Sequence, residues 1–424
     1  MLQNHLLIAI IIFALTYCAI IYEKINRMIV ALLGALLMIA FQVVSQEHAV
    51  ANIDFNTIGL LIGMMIIVLI LKRTGFFQYV AIKAAKQAKG EPWKILVLFA
   101  AATAIASALL DNVTTILLIA PVTLVITDTL KIDPTPFLFT EIFAANIGGT
   151  ATLIGDPPNI MIGGATQYSF VDFLFNLTPI TLVIFAVTVF LLVLVYRKRM
   201  LVKEEDKRKV LRFDESKAIQ DKNLLVKSLI VLIITIIGFT LHSALHLESA
   251  TIALFGAVVL LLISGLEPED VLMEIEWTTI FFFIGLFVLV GALVEVGLID
   301  SLAKKVMGLT NGNLMITTML ILWMSALLSA FLDNIPFVAT MIPLIKSIEV
   351  LSGIQAAPLW WALSLGACLG GNGTIIGASA NVIAGGMLEK HGHKLKFFDY
   401  MKVGFPLMLI SIILSAIYLI VFYM

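Results

Sequence analysis

Two Asp-Asn pairs inside long apolar stretches are the residues of this chain best suited to chemistry. Asp111-Asn112 interrupts the apolar segment 93–130, and Asp333-Asn334 interrupts the segment 313–351. A carboxylate within hydrocarbon is disfavoured by roughly 3 kcal/mol, so it persists only where water, a cation or a helix end compensates. Each pair therefore predicts the polar turn of a hairpin between two apolar arms.

These turns allow two interpretations. In the first interpretation each pair only caps a helix, because aspartate and asparagine are among the most favoured residues at helix N-caps. The repetition of the pair favours the other, in which Asp111 and Asp333 load and release a coupling proton or cation. The neighbouring side chains expected to bind an ion or substrate are Asn112, Thr114, Thr115 and Asn334.

Two glycine-rich interruptions, 148–159 and 370–381, form a second candidate site. Glycines relax the backbone and Pro157-Pro158 forbids a continuing helix, so we expect a helix, an extended link and a second helix. Freed carbonyls can bind a cation, and the second half-helix favours an anion or polar oxygen at its N-terminus. A kink made only for packing is the alternative. The candidate binding residues are Gly148, Gly149, Thr150, Thr152, Asn159, Gly370, Gly371, Asn372, Thr374 and Asn381.

Three further residues near these segments have no equivalent in the other half of the chain. Asp156 aligns with an alanine and adds a third candidate coupling carboxylate. Glu141 aligns with a leucine, and it either titrates within the membrane or lies as a solvated charge near the cytoplasmic surface. Cys368 could contact a thiophilic substrate, although a buried cysteine is usually a packing residue.

The composition shows what kind of protein must hold these residues. The 424 residues are 61% hydrophobic and 13% charged, against about 25% charged in soluble domains. Apolar stretches of about 18–22 residues recur along the chain, and each can cross a bilayer. No Walker A loop, HExxH or GxSxG motif occurs, so an ion gradient rather than ATP or a cofactor must drive any transport. The net charge of −1, without a basic stripe, argues against a nucleic-acid partner.

An internal repeat organises these stretches. The shift that carries Asp111 onto Asp333 superposes the Asp-Asn pairs and most of the glycines and prolines around them. Each unit contains an odd number of crossings plus a hairpin, so the second must be inverted, as in many secondary transporters. We therefore predict an all-α polytopic membrane protein with about 10 crossings and two hairpins, which either cross or re-enter. The predicted parts are scaffold helices at 1–53, repeat one at 54–196, a basic cytoplasmic loop at 197–227, linking scaffold helices at 228–275 and the inverted repeat two at 276–424.

Lysine and arginine near the span ends predict the orientation. Basic residues cluster after the first and third spans and in 197–227, whereas 45–54 and 169–176 contain none. Because basic loops stay in the cytoplasm, both termini are expected outside the plasma (inner) membrane.

The run Gly-Gly-Thr-Ala-Thr-Leu-Ile-Gly-Asp-Pro-Pro-Asn at 148–159, with the two Asp-Asn pairs, resembles the ion transporter superfamily. The similarity is to its branch of ArsB arsenite pumps, NhaD-type sodium/proton antiporters and P proteins. The more distant dicarboxylate carriers usually show Ser-Asn-Thr at these positions, so their absence argues against sodium-dicarboxylate symport. The resemblance implies a scaffold, a homodimer and elevator-like movement of the hairpins and broken helices.

The expected function is proton-coupled antiport that exports arsenite, a small inorganic substrate that is an uncharged trihydroxide at neutral pH. Sodium/proton antiport and transport of another anion are alternatives within the superfamily, and an ion channel is the alternative from another class. No cofactor is expected beyond the coupling H⁺ or Na⁺, and no partner beyond membrane lipid and a second copy of the chain.

Overall fold

The fold is that of an all-α polytopic membrane protein. A computed structural model describes residues 2–22, 24–166, 168–353, 356–393 and 395–424. Among these residues, nine helices are long and apolar enough to cross a membrane. A tenth counts if Leu298–Thr310 and Leu314–Ser329, bent by 118° at their break, form one span.

The helices follow one another with short connections. Those of the first half are α1 (Leu2–Tyr22), α2 (Arg27–Ala40), α3 (Gln46–Ala51), α4 (Phe55–Arg73), α5 (Phe76–Gln87), α6 (Pro92–Leu109), α7 (Asn112–Leu130), α8 (Thr135–Thr150), α9 (Pro157–Ala165) and α10 (Phe170–Tyr196). Those of the second half are α11 (Glu204–Leu211), α12 (Lys222–Leu245), α13 (Ser249–Ser264), α14 (Pro268–Leu272), α15 (Trp277–Glu295), α16 (Leu298–Thr310), α17 (Leu314–Ser329), α18 (Asn334–Ser352), α19 (Ala357–Gly370), α20 (Ser379–Lys390) and α21 (Phe397–Tyr423).

Helix starts reproduce the internal repeat. The shift that carries Asp111 onto Asp333 also carries the starts of α4, α7, α8 and α9 onto those of α15, α18, α19 and α20. The last pair, α10 and α21, is slightly further apart, which agrees with the short insertion that the sequence shows near Glu389–His393. Both hairpins (α6–α7 and α17–α18) and both broken helices (α8–α9 and α19–α20) therefore occupy equivalent places.

The internal repeat covers more of the chain than the sequence comparison indicated, because the helices that precede each repeat unit also correspond to one another. The same shift carries the start of α2 onto that of α13, and the start of α3 onto that of α14. They also pack alike. A Cβ on Gly63 of α4 would lie 2.6 Å from the backbone of Ala253, and one on Gly285 of α15 would lie 2.7 Å from that of Ala31. Both of these helix contacts thus require glycine, as close helix packing in membranes often does.

Contacts at the helix ends show that the two copies run in opposite directions. Arg73 at the C-terminal end of α4 donates a 2.6 Å hydrogen bond to Glu274, just before α15. At the other end, a Cβ on Gly291 of α15 would lie 2.2 Å from the side chain of Asn52, just before α4. Helices α4 and α15 are therefore antiparallel.

The broken helices are inverted in the same way. His393, after α20, lies 3.5 Å from Asp133, which precedes α8. Tyr168, after α9, packs against Trp361 near the start of α19, with ring centroids 4.8 Å apart. Each broken helix thus ends beside the beginning of the other, and their breaks meet between the two ends.

Each hairpin is fastened to the broken helix of its own repeat by equivalent contacts. Ser107 Oγ donates to the Ala145 carbonyl at 2.7 Å, and Ser329 Oγ donates to the Ala367 carbonyl at 2.6 Å. A Cβ on Gly148 would lie 2.3 Å from the Ala104 carbonyl oxygen, so only glycine allows this approach. Hairpin and broken helix form one packed unit in each repeat.

Inversion predicts opposite exposure for the equivalent turns that precede the two hairpins. Lys89 and Asn311 are exposed and have a left-handed backbone at these turns. In a Cys18→Ser background, with Cys368 left in place because it is buried, we expect Lys89→Cys to react with an impermeant maleimide from the cytoplasm. Asn311→Cys should react from outside. Labelling of both from one side would contradict the inversion, and reversed labelling of the two sites would contradict the expected orientation.

Candidate functional site

The two hairpin turns and the first broken helix enclose a central cavity of about 240 Å³. Hairpin one contributes the start of α7, hairpin two the start of α18, and broken helix one the start of α9. The starts of α2 and α15 close the opposite side. The polar and charged lining residues are Arg27, Asp111, Asn112, Asp156, Glu276, Thr278, Thr279, Asn334 and Ser379.

Asp156 is the most deeply buried charged group of this cavity. It is fully buried at the position just before α9, where Pro157 and Pro158 stop the preceding helix from continuing. Asn334 Nδ2 donates to Asp156 Oδ1 at 3.3 Å, across the two repeats. The other oxygen, Oδ2, has no hydrogen-bond partner among the described residues. An ionised buried carboxylate requires pairing, so this side chain is suited to a proton or a bound cation.

Two more carboxylates line the cavity, one from each side. Asp111 caps α7 by accepting the Thr114 amide hydrogen at 2.8 Å, so capping and cavity lining coexist in this residue. Glu276 faces it from the start of α15, and its Oε2 accepts a 3.1 Å hydrogen bond from Thr279 Oγ1. Burial raises the pKa of Glu276, and the negative charge of Asp111 raises it further. Neither Asp111 nor Asp156 forms an ion pair within the described ranges.

Asp333 differs from these groups because it has a cationic partner. Arg27 Nη1 lies 2.6 Å from Asp333 Oδ2 and donates to Ser379 Oγ at 2.8 Å. Ser379 Oγ in turn donates to Asp333 Oδ2 at 2.8 Å. The triangle joins the scaffold helix α2 to hairpin two and to α20. All three side chains line a second cavity, of about 340 Å³, and of the three only Arg27 and Ser379 also line the central cavity.

Buried asparagines connect the two repeats beside the cavity. Asn112 Nδ2 donates to Asn146 Oδ1 at 3.1 Å. Asn146 Nδ2 donates to Asn372 Oδ1 at 2.9 Å and to Asn381 Oδ1 at 3.0 Å. Asn146 was not among the predicted site residues, and it aligns with Cys368 rather than with another asparagine. The network ties hairpin one to both broken helices.

Comparison with known proteins identifies the family. The citrate transporter family (CitMHS) matches residues 17–366. The chain belongs to this family. An uncharacterized transporter of Mycobacterium tuberculosis is 43% identical over 418 residues, which cover 97% of both chains. The human P protein is 34% identical over 505 aligned positions, which cover 99% of this chain and 60% of that protein.

A solved structure supports the fold. The YdaH transporter of Alcanivorax borkumensis, described as having an unusual topology, superposes with a TM-score of 0.61 at 16% identity. The match covers 88% of this chain and 86% of that one. The family match and the similarity to the P protein confirm the expected membership of the ion transporter superfamily, on its P-protein side. They also confirm the expectation that this CitMHS family member is a transport protein rather than an enzyme.

In this citrate transporter family member, the links of the broken helices are held by their own asparagines. Asn159 Nδ2 donates to the carbonyls of Thr150 and Thr152 at 3.0 and 2.8 Å. Asn381 Nδ2 donates to the carbonyls of Gly371 and Thr374, at 2.7 and 2.9 Å, and the second of these bonds is the equivalent of that to Thr152. Both amides therefore satisfy the carbonyls that the breaks release.

The predicted threonines and glycines also have internal contacts. Thr152 Oγ1 donates to the Ala108 carbonyl at 2.5 Å, and Thr374 Oγ1 makes the equivalent bond to Ala330. Thr150 Oγ1 donates to the Asn146 carbonyl at 2.7 Å within α8. The Thr115 hydroxyl is buried without a partner in the described part of the chain. The glycines pack closely: a Cβ would come within about 3 Å of backbone or neighbouring atoms at Gly149, Gly370 and Gly371.

Cys368 and Glu141 lie outside the cavity lining. Cys368 is buried, and its Sγ donates to Asn159 Oδ1 at 3.8 Å, beside a 2.6 Å bond from Ser364 Oγ to the same atom. Glu141 is buried between α7 and α8 rather than solvated. Thr123 Oγ1 donates to its Oε1 at 2.5 Å, while its Oε2 is unpartnered among the described residues.

Loss of the Thr152 hydroxyl is expected to lower stability rather than to remove a substrate contact. Thr152→Val keeps the volume but leaves the Ala108 carbonyl of hairpin one without its donor. We expect thermal unfolding in detergent to show a loss of about 1 kcal/mol, with substrate affinity unchanged. Thr129→Val, which removes an exposed hydroxyl bonded only within α7, is the control. Weaker substrate binding by Thr152→Val at unchanged stability would instead place Thr152 at the substrate.

Proposed function

We propose that this chain is a proton-coupled antiporter of small hydroxylated solutes and that arsenite is the cargo it exports. The observation that carries the proposal is the charge of the central cavity. Asp111, Asp156 and Glu276 line about 240 Å³, and the single arginine there is paired with Asp333. Like charges this close disfavour simultaneous ionisation, so uptake of a proton is the simplest compensation.

The same charge argues against a free polyanion as cargo. Citrate would place up to three carboxylates against three acidic side chains, and Arg27 would have to leave Asp333 to neutralise even one. Such like-charge contacts are a strong basis for rejecting a ligand. Arsenite is uncharged and offers hydroxyl groups, which the amides of Asn112 and Asn334 and the carboxylates can hydrogen-bond.

Sodium/proton exchange is the second candidate, favoured by Asp156. Its unpartnered Oδ2 is the kind of oxygen ligand that hard cations prefer. In this version the carboxylates bind Na⁺ and H⁺ in turn, and no organic or metalloid cargo is needed.

Transport is proposed to occur by movement of the hairpins and broken helices against the scaffold of a homodimer in the plasma membrane. The packed unit of hairpin and broken helix in each repeat supports such a movement, because Ser107 and Ser329 fasten each hairpin within its unit. The triangle of Arg27, Asp333 and Ser379 is the polar contact that must break when this unit leaves the scaffold.

Everted vesicles that contain the protein provide the test. A pH-sensitive dye reports proton movement while arsenite, Na⁺, arsenate and citrate are supplied in turn to energised vesicles. The proposal predicts proton release on addition of arsenite, and none on addition of citrate. Release with Na⁺ alone would select the second candidate. Release with citrate alone would overturn both.

A further inference from the structure

We propose that the apolar cavity between α5, hairpin one and α12 binds the acyl chain of an anionic phospholipid from the surrounding bilayer. The cavity has a volume of about 590 Å³ and is separate from the central site. That volume falls within the range of roughly 300–1,000 Å³ typical of ligand sites. Its walls are almost entirely aliphatic and aromatic, and they include Phe77, Leu98 and Leu232.

Alanines on one helix create the space. Ala101, Ala102 and Ala106 of α6 line the cavity. The equivalent positions of α17, under the shift that relates the two repeats, are Trp323, Met324 and Leu328. The two hairpins otherwise share their serine contacts and the equivalent starts of α7 and α18. Repeat one therefore lacks the bulk that repeat two has at the same place.

The cavity opens where a lipid chain could enter. Ile105 and Ile233, at its margin, are 66% and 55% exposed, although both are large apolar side chains. In a membrane protein such side chains face lipid tails. An acyl chain can thus enter sideways from the bilayer between the hairpin arm and the scaffold helix.

A basic group at the mouth selects the head group. Lys83 of α5 lines the cavity and is exposed, and its Nζ donates to the Tyr79 hydroxyl at 3.1 Å. The nearby Lys86 is instead neutralised by an ion pair with Glu215. Lysines at the membrane surface attract anionic lipids, and the lysine stem can pack on apolar surface while its ammonium reaches the phosphate.

Native mass spectrometry of the purified full chain tests this site. Delipidated protein is titrated with palmitoyl-oleoyl phosphatidylglycerol or phosphatidylcholine. We expect about fivefold tighter binding of the anionic lipid. Lys83→Gln should abolish that preference, whereas Lys305→Gln, the equivalent lysine of repeat two, should retain it.

A second variant tests the cavity itself. Ala101→Trp with Ala102→Met imports the repeat-two side chains and should lower the affinity for both lipids by about tenfold or more. Wild-type affinity in the filled variant would overturn the proposal, as would equal effects of Lys83→Gln and Lys305→Gln. If the filled variant does not fold, the comparison of the two lysine variants decides.

Discussion

Asp156→Asn is expected to reduce gradient-driven transport to the level of vesicles without the protein, while the chain still folds. Asparagine keeps the size of the side chain and an oxygen for the Asn334 amide, but it cannot exchange a proton. Because Asp156 is fully buried with one unpartnered oxygen, the neutral side chain should leave stability equal or higher. Solute flux and proton flux are measured in the same vesicles, and unfolding is followed in detergent.

The matched control is Asp128→Asn. Asp128 belongs to the same hairpin as Asp111, but it is exposed at the end of α7, where it lies 2.8 Å from His391. We expect this variant to transport as the wild type does. Coupled transport at the wild-type rate by Asp156→Asn would return that carboxylate to a structural role.

The second large effect is expected for the pair of Arg27 and Asp333. Arg27→Met leaves the Asp333 carboxylate, 14% exposed, without its cation. Loss of one partner of a buried pair is strongly destabilising. Because Arg27 is 33% exposed, we expect a smaller loss in the free energy of unfolding, of about 1–3 kcal/mol. We also expect this variant to be inactive in transport.

The double variant Arg27→Met/Asp333→Asn separates two roles of Asp333. If Asp333 is the fixed counter-ion of Arg27, the double variant should recover about 1–2 kcal/mol of stability and part of the transport. We expect this result, because Asp333 has a cationic partner that Asp111 and Asp156 lack among the described residues. A stable but inactive double variant would show that Asp333 itself carries the coupling proton, as the sequence predicts.

The architecture could be predicted because backbone-restricting residues mark it. The Asp-Asn pairs become helix caps at the two hairpin turns, and the glycine-rich segments become the breaks of α8–α9 and α19–α20. Such residues fix local backbone geometry whatever surrounds them. The starts of α10 and α21, at 170 and 397, are harder to read from the sequence, because Asp172 and Asp399 interrupt the apolar pattern in their first turns.

The sequence comparison underestimated the extent of the internal repeat where the matching residues are small and apolar. Ala-Leu-x-Gly-Ala occurs at 31–35 and again at 253–257, in the same register as the Asp-Asn pairs. These residues form the equivalent contacts of α2 with α15 and of α13 with α4. Alanine, leucine and glycine are common in every membrane helix, so the match is visible only once the packing is known.

Several residues of the central site could not be found by comparing the repeats. Arg27 aligns with Ser249, and Asn146 aligns with Cys368, so neither has a matching partner. Arg27 was interpreted only as a basic residue that orients the chain. Glu276 aligns with Asp54, but this repeated charge falls at a helix start, where capping explains it equally well. These residues come together at the central site only because the second repeat is inverted, which brings the start of α15 towards hairpin one.

The central claim is that solute and proton movement are obligatorily coupled, and a null-point measurement tests it most directly. Purified protein is reconstituted in liposomes with the membrane potential clamped at zero. Opposing gradients of protons and of arsenite are then varied until net arsenite flux vanishes. One-for-one antiport predicts that the arsenite ratio at this point shifts by about tenfold for each unit of pH difference. A null point that stays at equal arsenite concentrations for every pH difference would show an uncoupled pathway and contradict the account.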